Sequence, residues 1–127
     1  MYTVLETMDA PQAIGPYIQG GKFCNMVMTS GQLPVDPSTG RMSPDIGQQT
    51  QQSLTNVLAI IKEAGLTARN IVKVTIFLQD MNHFSEVNDV YERFFLENGA
   101  GFPARSCVQV ARLPKDAGIE IEAVACC

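Results

Sequence analysis

Apolar positions change period along the chain, and each change marks an element. Residues 8–16, Met-Asp-Ala-Pro-Gln-Ala-Ile-Gly-Pro, hold two prolines and a glycine and read as a shaped loop. Tyr17 to Gln19 and Lys22 to Leu33 read as strands on either side of a Gly20-Gly21 turn, since Gly-Gly between short strands is a hairpin signal. Pro34 to Pro44 is proline-rich and reads as a loop. From Asp45 the period becomes helical: Ile46, Thr50, Leu54, Val57, Leu58, Ile61 and Ala64 share one stripe, with Ser43 or Asp45 as cap and Gly65 as stop. Ile71 to Leu78 is rich in β-branched residues and reads as a strand. Asn82 is placed to cap a second helix, whose stripe is Phe84, Val87, Tyr91, Phe94 and Phe95, ending before Gly99. Ala104 to Val110 and Ile119 to Ala125 read as two further strands, joined by a turn over residues 113–118. The order ββ, α, β, α, ββ predicts an α+β fold in one domain, residues 1–127, with two helices packed on one face of a mixed sheet.

Two helices cover only one face of such a sheet. Alternation puts Lys73 and Thr75 opposite Val72, Val74, Ile76 and Leu78, and Glu120 and Glu122 opposite Ile119, Ile121 and Ala123. It also separates Arg105, Cys107 and Gln109 from Ser106, Val108 and Val110. With the apolar residues under the helices, the uncovered face is expected to carry the Arg, Glu, Lys and Gln side chains. Such a face stays wet or packs on other copies of the chain, where buried charges must be paired or serve a ligand.

Composition narrows the classes. The longest apolar runs, Val57 to Ile61 and Ala123 to Cys127, are too short for a membrane span. The Met-Tyr-Thr-Val-Leu-Glu-Thr start does not read as a secretory signal. Nine Lys and Arg against thirteen Asp and Glu give a net charge of −4, and no two basic residues are adjacent, so no nucleic-acid footprint is expected. Cys24, Cys107, Cys126 and Cys127 include no Cys-x-x-Cys, and His83 is the single histidine, so no metal site is expected. The expected compartment is a reducing cytoplasm.

The stretch from Gly101-Phe-Pro-Ala-Arg-Ser-Cys through Ile-Glu-Ile-Glu-Ala-Val-Ala125 resembles the C-terminal signature of the Rid family, the reactive intermediate deaminases, also called YjgF-type proteins. Ala13-Ile-Gly-Pro-Tyr17, Thr29-Ser-Gly-Gln32 and Val87-Asn-Asp-Val-Tyr91 followed by Phe94-Phe95 agree with it, and the pattern is most similar to the RidA subgroup. The resemblance implies a chorismate-mutase-like fold and a homotrimer with sheets facing inward and sites in clefts between subunits. It implies hydrolysis of 2-iminobutanoate and 2-iminopropanoate, with their enamine tautomers, to 2-oxo acids and ammonia. That is metabolite damage control downstream of pyridoxal-phosphate-dependent dehydratases, with no cofactor. It places the carboxylate-binding arginine on Arg105 and the acid near the bound water on Glu120. Tyr17, Ser30, Gly31, Asn88 and Cys107 fall on positions lining the same cleft.

The residues suit that chemistry. An arginine fork holds a carboxylate through two hydrogen bonds. A glutamate can orient water, accept its proton, and favour a cationic iminium. Each residue also has a plainer reading. Arg105 could pair with Glu120 or Glu122 across the sheet, and Glu120 could be a structural acid while a backbone carbonyl holds the water. Cys107 has no histidine near it in sequence to make a thiolate nucleophile, so a small lining residue with a ligand-facing N–H is favoured. Tyr17 could be an aromatic at a strand edge, and Ser30-Gly31 a strand end. The alternatives to an imine deaminase are a non-catalytic module that binds or senses 2-oxo acids, and an RNA-directed activity, against which the acidic charge argues.

Overall fold

Of the two capping candidates before the first long helix, Asp45 is the one used. Its carboxylate accepts a 2.8 Å hydrogen bond from the N–H of Gln48, while Ser43 donates its hydroxyl to the Gln48 side chain. The computed structural model describes residues 1–127, and this helix, α1, spans Ile46–Glu63 and ends at Gly65, whose φ is +78. Its apolar stripe is buried, and so is Asn56, whose amide donates to the carbonyls of Leu33 and Val35 and ties the proline-rich loop to the helix.

The hairpin lies elsewhere than expected. Gly20 and Gly21 sit inside strand β2, Gly20–Phe23, paired with Thr29 and Met28 of β3, Met26–Thr29. The turn is Cys24-Asn25, with Cys24 at φ 58. A Cβ on Gly20 would fall 2.6 Å from Cγ2 of Ile60. The glycine therefore serves close helix-to-sheet approach and not a turn. Tyr17 to Gln19 is loop, and the strand pairing with β2 is β1, Thr3–Leu5.

Strand β4 covers Ile71–Leu78, as its sequence predicts, with a register irregularity between Ile71 and Lys73. Ile71 consequently enters the core, while Val72, expected there, is 44% exposed. The second helix, α2, spans Phe84–Glu97 and is preceded by a 3₁₀ turn over Met81–His83. Asp80 caps that turn by accepting from the N–H of Asn82, so Asn82 is capped and not the cap. Val87, Tyr91, Phe94 and Phe95 are buried as expected and Val90 joins them, whereas Phe84 is at the surface.

Strands β5, Ala104–Gln109, and β6, Ile119–Cys126, complete a six-stranded sheet of order β1-β2-β3-β6-β4-β5, in which only β4 and β5 are parallel. Val27, Val74, Ile76, Leu78, Ile119, Ile121, Ala123 and Ala125 form one core with the inner faces of α1 and α2. This is the α+β arrangement expected from the order of elements.

Register corrects one assignment. Val74 pairs with Arg105, Ile76 with Cys107 and Leu78 with Gln109. Paired residues share a face, so these three β5 residues lie on the helix side of the sheet and not with the glutamates. The uncovered face instead carries Lys73, Thr75 and Phe77 of β4, Ser106 and Val108 of β5, and Glu120 and Glu122 of β6.

Candidate active site

Strand β5 is an edge strand, and its Arg105 reaches residues of α2. Nη1 of Arg105 donates to Oδ1 of Asn88 at 2.8 Å. The guanidinium carbon stands 4.8 Å from the ring centroid of Tyr91 and 5.6 Å from that of Phe84. Arg105 makes no ion pair; the single one in the chain joins the exposed Arg112 and Asp116. Asn88, Asp89, Tyr91, Glu92, Phe102, Pro103 and Arg105 line a cleft beside α2, in which neither acid comes within ion-pair distance of the arginine. Cys107 is half-buried against the core on the same face. Burial pushes its thiol up, and the nearby Arg105 charge opposes this only in part. That setting does not supply a thiolate.

The remaining site residues gather in a second concavity, lined by Ile14, Tyr17, Ser30, Gly31, Leu33, Pro114, Glu120 and Glu122. Burial pushes the Glu120 carboxyl up, and the like charge of Glu122, two residues along the same face, adds to it. A Cβ on Gly31 would fall 2.8 Å from Cδ of Glu120, so glycine is what lets the carboxylate lie against this backbone. The Ser30 hydroxyl donates to the carbonyl of Ile18 at 2.6 Å and is engaged in holding the loop. Tyr17, 47% exposed, accepts at its hydroxyl from the N–H of Ile14.

The structure thus brings the expected residues into two groups: Arg105 with Asn88 beside α2, and Tyr17, Ser30, Gly31 and Glu120 on the other side. Arg105 and Glu120 lie on opposite faces of the sheet, on strands separated by β4. Within one chain they cannot form the ion pair that strand alternation left open.

Two contributors escape the sequence pattern. Gln19, read as strand, is buried, accepts from the N–H of Thr7 and donates to the carbonyls of Thr7, Ala10 and Pro11, pinning the loop that carries Tyr17. Its signal was a polar residue beside a proline-rich loop whose carbonyls need donors. Tyr91, read only as core, also lies under Arg105.

The endoribonuclease L-PSP family model matches residues 7–127. The chain belongs to this family. A Salmonella typhimurium member named 2-iminobutanoate/2-iminopropanoate deaminase is 57% identical over 125 residues, covering 98% of each chain. The crystal structure of the YjgF gene product of E. coli superposes with a TM-score of 0.96 at 55% identity, covering 98% of both chains. The structure of E. coli TdcF with bound serine gives a TM-score of 0.97 at 52% identity, again over 98% of both. The resemblance to the Rid or YjgF-type family is borne out over nearly the whole chain.

Proposed function

We propose that this chain is a hydrolytic deaminase of small 2-imino acids and their enamine tautomers, such as 2-iminobutanoate and 2-iminopropanoate. The observation that carries the reading is the state of Arg105. Its guanidinium is held by a neutral amide and two aromatic faces and meets no carboxylate of its own chain, so its charge and remaining donors suit a carboxylate ligand. The relative named as a deaminase supports the choice of an imino acid among carboxylates. The serine bound to TdcF likewise carries its carboxylate next to a nitrogen-bearing carbon.

In a 2-imino acid the carboxylate carbon is bonded directly to the imine carbon. Arg105 anchors the former, which fixes the latter in front of the water. Water adds to the C=N carbon and gives a proton to Glu120. That proton passes from Glu120 to the nitrogen of the carbinolamine; as the C–N bond breaks, the hydroxyl gives its own proton back to the Glu120 carboxylate and becomes the carbonyl, leaving a 2-oxo acid and ammonia, which takes up the last proton as ammonium. Tyr17, Ser30 and Gly31 shape the Glu120 side of the site, and Asn88 and Cys107 the Arg105 side. Each proton transfer in this step is carried by water and these side chains, in keeping with the cofactor-free reaction that the family resemblance implies.

One substrate has to meet both groups, yet within a chain these lie on opposite faces, two strand spacings (about 10 Å) across the sheet and three residues (about 10 Å) along it. The Arg105 cleft of one copy and the Glu120 concavity of the next complete each site, and head-to-tail repetition closes as a homotrimer with the uncovered sheet faces inward. Met28, at 41% exposure, and Val108, at 45%, give that face apolar area to bury. The reaction belongs in the cytoplasm, after pyridoxal-phosphate-dependent dehydratases that release such imines. A nucleolytic activity, which the family's name suggests, is disfavoured by a net charge of −4 with no adjacent basic residues.

The test is to add the protein to threonine dehydratase and follow 2-oxobutanoate. Faster formation with wild type, and not with Arg105→Lys, is expected. Binding of 2-oxobutanoate with no acceleration would make the protein a binding module instead.

A further inference from the structure

We propose that Tyr91 is a positioning residue for this reaction: the face of its ring sets the plane of the Arg105 guanidinium that receives the substrate carboxylate. The inference rests on the clamp reading of Arg105 above. Phe84, Asn88 and Tyr91 occur at i, i+4 and i+7 of α2 and so share one face of the helix. All three meet the same group: the Asn88 amide at 2.8 Å and the two ring centroids at 4.8 and 5.6 Å.

Arginine is long and rich in rotamers, and a bidentate carboxylate contact works only if the fork is presented in one plane. The Asn88 hydrogen bond fixes one nitrogen and leaves the plane free to pivot about it. A ring face against the cation removes that freedom. Tyr91 is suited to this because its own ring is immobile: it is 5% exposed and packs against Phe95 at a centroid distance of 4.8 Å. Phe84, at the surface, closes the other side less firmly. The Tyr91 hydroxyl is buried without a hydrogen-bond partner, and burial pushes it up to about 12, so it stays neutral. What Tyr91 offers Arg105 is therefore the π face, neither a phenolate charge nor a hydrogen bond.

Two shape-preserving replacements separate this role from core filling. Tyr91→Phe keeps the ring face. Tyr91→pentafluorophenylalanine keeps the volume and reverses the ring's electrostatic sign. Both are compared for 2-oxobutanoate affinity by calorimetry, for KM against kcat in the dehydratase-coupled assay, and for thermal unfolding. Tyr91→Phe is expected to stay within about threefold of wild type, and the fluorinated variant to lose on the order of tenfold in affinity, mainly as a raised KM, without melting earlier than Tyr91→Phe. Phe95→pentafluorophenylalanine alters a neighbouring ring not stacked on Arg105 and should leave binding unchanged. Equal affinity of the two Tyr91 variants, or an equal loss on fluorinating Phe95, overturns the proposal. Arg105→Lys run alongside separates the two readings. If it loses 2-oxobutanoate while fluorinating Tyr91 has no effect, the cradle is wrong and the clamp stands. If it binds like wild type, the clamp fails and the cradle falls with it.

Discussion

Arg105 and Asn88, seventeen residues apart in sequence, meet at 2.8 Å through a charged donor and a neutral acceptor. The neutrality matters. An amide oxygen orients the guanidinium without cancelling its charge, whereas a carboxylate there would compete with the substrate. A hydrogen bond to a charged group contributes about 1.5–3 kcal/mol. Arg105 is half-exposed, so the lower end applies, and Asn88→Ala should lower kcat/KM roughly tenfold. Asn88→Asp strengthens the contact and yet should raise KM more. An Asp variant that outperforms the Ala variant would refute the clamp.

Arg105→Lys keeps the charge and loses the fork. The chain should fold normally while kcat/KM falls on the order of a hundredfold, the loss expected from an anchor misplaced by about 1 Å. Near-normal turnover by this variant would leave the site without its main residue.

Glu120 gives a pH signature. Its folded pKa is raised by burial and by Glu122, so the acid limb of kcat/KM should lie above the ordinary glutamate range. Glu122→Gln removes the like charge and should move that limb to lower pH; an unmoved limb means another group titrates. Stability follows the same sign. The native state holds this proton more tightly than the unfolded chain does, so the contribution is fully present below the unfolded pKa and is lost as pH rises through the folded one. Glu120→Gln should flatten that fall in melting temperature.

Gly31→Ala separates activity from stability. The added methyl meets the end of the Glu120 side chain, 2.8 Å from Cδ, and that end can rotate away. The melting temperature should change little, while kcat/KM should fall about as far as for a 1 Å displacement, on the order of a hundredfold. Unchanged activity would show that the position of the Glu120 carboxylate is not critical.

Cys107→Ser should retain activity within a few-fold, because burial holds the thiol protonated and no base accompanies it. Alkylation should proceed first at the exposed Cys24 and Cys127 and should block turnover only when it reaches Cys107. Loss in Cys107→Ser as complete as in Arg105→Lys would revive a thiolate mechanism.

Helix α1 and strand β4 were legible because each is long enough for its period to dominate. Gly20-Gly21 reads as a turn in the sequence, but glycine also marks close approach, and the atom that approaches, on Ile60, is forty residues away. Strict alternation places Val72 in the core, and one irregularity at the start of β4 shifts it out. The most consequential error concerned Arg105. Alternation within a strand sorts residues into two sets but cannot say which set faces the helices; the pairing of Arg105 with Val74 settles that. The site residues themselves came from the family resemblance, since spacing alone left Arg105 as an ion-pair partner of the glutamates.

The opposite placement of Arg105 and Glu120 in one chain has a genetic consequence. If every site takes its arginine from one copy and its glutamate from the next, two inactive proteins can repair each other. Trimers of Arg105→Ala alone or Glu120→Ala alone have no complete site. Each trimer assembled from both has one junction where an intact Arg105 faces an intact Glu120. Co-expressing the two dead alleles, or unfolding and refolding their mixture, should therefore restore a fraction of wild-type turnover, and the doubly substituted chain mixed with either should restore none.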